Sequence, residues 1–108
     1  KVKKSMKTKK NLGYMEITDS GASGAVNFVL GLSGKDVGVA YKERTDYGIY
    51  AVSIRGSKTC KVHLGKLVNK LSTKFGGSGG GHDKACGASI PKSEINKFIN
   101  TLNKELEK

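Results

Sequence analysis

The sequence predicts an α+β domain: a small mixed β-sheet flanked by helices, with a glycine-rich GGGH loop. Three observations point there. "DVGVAYKER" and "GIYAVSIRGS" concentrate β-branched and aromatic residues in two neighbouring runs. "KVHLGKLVNKLSTKF" carries its apolar residues at helical spacing. Behind Phe75, Gly76-Gly77-Ser78-Gly79-Gly80-Gly81 leads straight into His82.

In chain order, residues 1–12 read as a basic flexible lead and 13–108 as the folded domain. "LGYMEITDSG" supplies a strand from Tyr14 to Thr18, closed by Asp19-Ser20-Gly21. Ala22, Ala25, Val26, Val29 and Leu30 follow a helical period, with Gly31 and Gly34 as stops. The two β-rich runs flank "TDYG" and are expected to pair antiparallel as 37–43 and 47–54. Tyr50, Val52 and Ile54 form the core face of the second run, so Ser53 and Arg55 project from the other. A helix is expected near 62–75, since Leu64, Leu67, Val68, Leu71 and Phe75 make one apolar stripe. Lys66, Lys70 and Lys74 form a separate row, and Gly76 stops the helix. "ACGASI" supplies a strand before Pro91. A last helix near 92–106 opens on Ser93 as N-cap and buries an apolar face that includes Phe98 and Leu102.

The 108 residues suit one domain with one modest core. The chain begins at Lys1, and six of its first ten residues are lysine, which reads as a piece of a longer protein. No apolar run approaches the ~20 residues that span a bilayer. The lysine-rich start is followed by no apolar stretch, so no secretory signal is expected. Cys60 and Cys86 then read as two reduced thiols in a cytoplasmic protein. The net charge of +11 is uneven. Between residues 55 and 84, Arg55, Lys58, Lys61, Lys66, Lys70, Lys74 and Lys84 face Asp83 alone. A basic block running into a glycine cluster suits a polyanionic ligand, phosphate above all.

Glycines can turn backbone N–H groups toward one point and let an anionic oxygen approach the chain. His82 adds a ring that donates from either nitrogen when protonated. Familiar nucleotide motifs fail. A phosphate-binding loop of the form G-x-x-x-x-G-K-S/T meets His82-Asp83 where its Lys and hydroxyl belong. The dinucleotide fingerprint fails because its third glycine falls on His82. A metal-dependent phosphohydrolase centre needs several more histidines and aspartates, and the other histidine, His63, lies on the striped helix.

"FGGSGGGHDKACGA" resembles the glycine–histidine signature of the C-terminal DHH-associated domain (type 1) of DHH-family phosphoesterases, in the exonuclease and oligoribonuclease group. That pattern, GGGGH-x-x-A-x-G, follows a helix and, before it, a strand bearing Ser-x-Arg-Ser. Here stand Gly79-Gly80-Gly81-His82, Ala85 and Gly87, with Ser53-Ile54-Arg55 upstream. The order matches across roughly residues 26–90, and "AVNFVLG" looks like the family's first helix. Two departures stand out: Gly56 occupies the place of the second serine, with Ser57 one residue later, and Ser78 splits the glycine run. The split run is similar to the related C-terminal domain of alanyl-tRNA synthetases, where an arginine usually replaces the histidine.

The resemblance implies a split enzyme. A preceding DHH catalytic domain of the same protein would hold two Mn²⁺ or Mg²⁺ ions. This chain would hold no metal and no catalytic residue. It would grip a nucleotide or single-stranded oligonucleotide through Arg55, His82, Ser53 and the backbone of Gly79, Gly80 and Gly81, away from any membrane. The alternative is a tRNA-binding or dimerising module of the synthetase type. Ser53 fits substrate or the neighbouring strand equally. The lysine row fits nucleic acid or plain solvation. His63 reads as a surface residue, and Cys86 as a small packed one.

Overall fold

The computed structural model describes residues 6–17, 22–44 and 47–107. Among them, a six-stranded sheet runs in the order β1-β2-β3-β4-β6-β5. Its strands are β1 (Lys7–Thr8), β2 (Leu12–Glu16), β3 (Val37–Arg44), β4 (Ile49–Gly56), β5 (Ser78–Gly81) and β6 (Ala85–Pro91). The helices are α1 (Ala22–Ser33), α2 (Leu64–Lys74) and α3 (Ile95–Glu105). β2 and β3 are parallel, joined through α1, and every other neighbouring pair is antiparallel. The sheet is therefore mixed and flanked by helices, the α+β class that the sequence predicts.

The two faces of the sheet carry separate cores. On one, Val37, Val39, Val52, Ile54, Cys86 and Ile90 pack against Leu64, Val68 and Leu71 of α2 and Phe98, Ile99 and Leu102 of α3. On the other, Met15, Ile17 and Ala40 pack against Ala25, Val26 and Val29 of α1. This division follows from the pleat, since successive strand residues point to opposite faces. Ile54 is fully buried beneath α2, and its neighbours Ser53 and Arg55 take the face of α1.

β3 and β4 pair antiparallel as expected, with Val39 opposite Ile54 and Tyr41 opposite Val52. Other expectations are corrected. The glycine cluster is not a loop: Ser78–Gly81 is an edge strand, paired with β6 along its whole length. Gly80 and Gly81 both take φ +147°, which side-chain-bearing residues rarely adopt, and a β carbon on Gly79 or Gly81 would press into β6. The glycines thus serve strand pairing at close quarters. β2 begins at Leu12, ahead of Tyr14, and a short β1 precedes it within the stretch read as the lead. α1 runs through Gly31 and ends at Ser33, where Gly34 turns the chain at φ +68°. Leu67 is only half-buried, on the flank of α2. Ser93 does not cap α3. It sits inside a 3₁₀ turn, Lys92–Glu94, that Pro91 opens, and its hydroxyl points to Glu94. Thr18, the Asp19-Ser20-Gly21 turn and part of "TDYG" lie outside the described residues.

Cys60 and Cys86 are free and buried. Among the described residues no helix is long and apolar enough to cross a membrane.

Candidate functional site

Three neighbouring strands bring four of the expected site residues, Arg55, His82, Ser53 and Gly80, into adjacent rows, whereas Gly79 and Gly81 pair with Ala88 and Cys86 outside them. Arg55 on β4 is the Cα partner of Ala85 on β6. The N–H of His82 donates to the carbonyl of Ala85 at 2.8 Å. Arg55, Ala85 and His82 therefore lie in one row across the sheet. The next row holds Ser53, Gly87 and Gly80. Both continue onto β3 through Gly38 and Ala40, the part that α1 covers: a β carbon on Gly38 would strike the backbone of Leu30. Beyond α1, the rows rest on Ala85, Gly87 and Gly80. Side chains there are small or missing, so a ligand can lie close to the sheet.

Arg55 is half-exposed, and its guanidinium makes a long hydrogen bond of 3.4 Å to the carbonyl of its own neighbour, Ile54. It makes no ion pair with a described carboxylate. A planar fork of donors without an acid partner is suited to a phosphate. His82 is exposed at the β5–β6 turn. The first turn of α2 abuts the same place. The Leu64 N–H donates to the Asp83 carbonyl at 2.9 Å, and His63 caps the helix by accepting the Lys66 N–H on Nδ1. His63 is thus an exposed capping residue, as its surface reading allows. The positive end of a helix lies beside the turn that carries His82.

The hydrogen-bond alternation along β5 decides where its amides point. The bonded His82–Ala85 pair makes Gly80–Gly87 and Ser78–Ser89 the next bonded pairs. The Gly80 N–H belongs to the ladder. The peptide groups of Gly79 and Gly81 turn to the outer edge. There Asn69 of α2 donates its Nδ2 to the Gly79 carbonyl at 2.8 Å. Asn69 is absent from the sequence-based list of site residues. The signal available was an amide four residues beyond Gly65, between two members of the lysine row.

The Cys86 thiol is pushed up to about 11 by burial, against a smaller downward pull from Arg55. It is a packed side chain and a poor nucleophile. Among the described residues no three His, Cys, Asp or Glu side chains come together to hold a metal ion. The described residues therefore do not offer the ligands of a two-metal centre.

The DHHA1 domain model matches residues 9–108. The chain belongs to the DHHA1 domain family. Over 47 residues it is 40% identical to an alanine–tRNA ligase of Korarchaeum cryptofilum, a match covering 44% of this chain and 5% of the ligase. Its fold is similar to the C-Ala domain of Aquifex aeolicus alanyl-tRNA synthetase, with a TM-score of 0.74, 13% identity, and coverage of 96% of this chain and 99% of that one. It is also similar to the pGpG-specific phosphodiesterase PggH of Vibrio cholerae, with a TM-score of 0.67, 15% identity, and coverage of 94% and 35%. An exopolyphosphatase-related protein of Bacteroides fragilis gives a TM-score of 0.62 at 22% identity, covering 94% and 31%. The DHHA1 domain is thus about a third of the two larger structures in length, and the whole of the C-Ala domain.

Proposed function

We propose that this DHHA1 domain is the substrate-gripping part of a metal-dependent phosphoesterase that acts on nucleotides or short single-stranded nucleic acid. The observation that carries the reading is the Arg55–Ala85–His82 row, which sets a guanidinium without a described acid partner on β4 and an imidazole at the end of β5, on either side of β6. Arg55 and His82 hold a phosphate, with Ser53, Gly80 and Gly87 in the row behind. Mn²⁺ or Mg²⁺ belongs to a DHH catalytic domain of the same protein, which supplies the chemistry of cleavage. The likeness in fold to a pGpG-specific phosphodiesterase and to an exopolyphosphatase-related protein supports this reading, and so does a histidine where synthetase domains usually carry arginine.

A second reading has its own support. The ligase match and the full-length likeness to C-Ala favour a tRNA-binding module. A titration separates the two. The phosphoesterase reading expects the chain to bind 5′-phosphorylated oligothymidylate and to lose that binding in Arg55→Ala and His82→Ala. Tight binding of tRNA, insensitive to both substitutions and with no binding of the oligothymidylate, establishes the second reading in its place.

A further inference from the structure

We propose that the exposed lysines of α2 carry the phosphate site across the β5 edge, so that the ligand is a single-stranded oligonucleotide of several residues, not a mononucleotide. This deepens the grip proposed for Arg55 and His82 and rests on it.

Charge is the first ground. Residues 47–82, which build β4, α2 and β5, contain six lysines and arginines and no aspartate or glutamate. Lys66, Lys70 and Lys74 are exposed, and none pairs with a described carboxylate. Lys74 rests its ammonium 5.7 Å from the Phe75 ring centroid, at the end of the row.

Geometry is the second. α2 lies alongside β5 in the opposite direction, with Gly65 against Gly81 and Asn69 bonded to Gly79. Four helical residues advance ~6 Å, and two strand residues ~6.8 Å. Helix and strand therefore stay in step. Lys66 directly follows the first contact position and Lys70 the second. The row repeats every ~6 Å, close to the phosphate spacing of an extended strand. β5 carries no side chain beyond Ser78, and the Asn69 amide bonded to Gly79 is the side chain that stands between its edge and the helix. The path from Arg55 over this edge to α2 bends within a single domain. A duplex with a persistence length of about 50 nm cannot follow it, and a single strand can.

The test uses the full chain and 3′-labelled, 5′-phosphorylated oligothymidylates of two and eight nucleotides, with a duplex of the longer length. Fluorescence anisotropy follows the native chain, the triple variant Lys66→Ala/Lys70→Ala/Lys74→Ala and Arg55→Ala, and circular dichroism confirms folding. The native chain is expected to bind the longer strand more tightly than the shorter. The triple variant should lose that gain, about tenfold or more at low salt, and keep the shorter ligand. Its slope of log affinity against log salt should fall by about 2, at ~0.7 per phosphate contact. Arg55→Ala should weaken both lengths alike. An unchanged slope and unchanged longer-strand affinity in the triple variant overturn the proposal, as does a native chain that binds neither length or binds the duplex equally well. If Arg55→Ala changes nothing while the triple variant loses the longer strand, the grip at Arg55 fails and the lysine track stands.

Discussion

Gly65 of α2 and Gly81 of β5 meet backbone to backbone: a β carbon on Gly65 would overlap the Gly81 carbonyl oxygen and lie 2.7 Å from its carbonyl carbon. Neither contacted atom can swing away, as a side chain could. Gly65→Ala would ordinarily favour a helix by about 1 kcal/mol. Here it should destabilise the domain by about 1–3 kcal/mol, because α2 must lift from β5. Urea unfolding measures this, and a raised midpoint would show that helix and strand separate without cost.

The same contact shows what was legible in the sequence. The apolar stripe of α2 and the β-rich runs of the hairpin announced themselves by period, and Leu64, Leu71, Phe98 and Leu102 are buried as their spacing requires. Leu67 sits at the margin of the stripe, where period alone does not separate half-buried from buried. The glycines misled. Composition reads Ser78–Gly81 as a loop, because glycine has low strand propensity. Pairing with β6 and contact with α2 override that propensity, and both partners lie elsewhere in the chain. The β1–β2 pair was hidden for a related reason: two residues, Lys7 and Thr8, have no period. The rows of the site were half legible. Alternation along β4 placed Ser53 and Arg55 opposite the α2 core, whereas the cross-strand partner of Arg55 depends on the β4–β6 register, which no local pattern encodes.

Arg55→Ala should separate binding from stability. The side chain makes one long bond within the domain and no ion pair with a described residue. Its loss should leave the urea midpoint nearly unchanged. Binding of single-stranded oligothymidylate should weaken by about 1–3 kcal/mol, the range for a charge-assisted hydrogen bond. Calorimetric titration at low salt reads the second quantity. A variant that unfolds readily yet, where folded, binds normally would make Arg55 a structural residue.

The chain alone should not cleave phosphodiesters when Mn²⁺ is added. Two-metal hydrolysis needs ligand sets that hold both ions ~3.5–4 Å apart, and the described residues bring no three such ligands together. The check is a time course with a labelled oligonucleotide, Mn²⁺ and this chain. Robust metal-dependent cleavage that co-purifies with the chain and disappears in His82→Ala would overturn the split-enzyme reading.

Cys86 carries a pH signature. It is 8% exposed, and burial raises its thiol from 9.0 to about 11. A folded-state value above the unfolded one means that the stability contribution is complete below the ordinary thiol range and disappears as pH climbs from 9.0 through about 11. Tyr41, raised by burial from 10.0 to about 12, adds a loss at still higher pH. Urea midpoints should therefore decline over that alkaline window, and Cys86→Ala should remove the lower part of the decline. Reactivity gives an independent reading, because the thiolate is the nucleophile. At about pH 8, a two-unit rise leaves the folded protein with roughly a hundredth of the unfolded chain's thiolate, and Cys86 should alkylate correspondingly slowly. Peptide mass spectrometry after iodoacetamide treatment, with and without urea, separates Cys86 from Cys60. Equal rates in the two states would mean that the thiol is not held in its neutral form by burial.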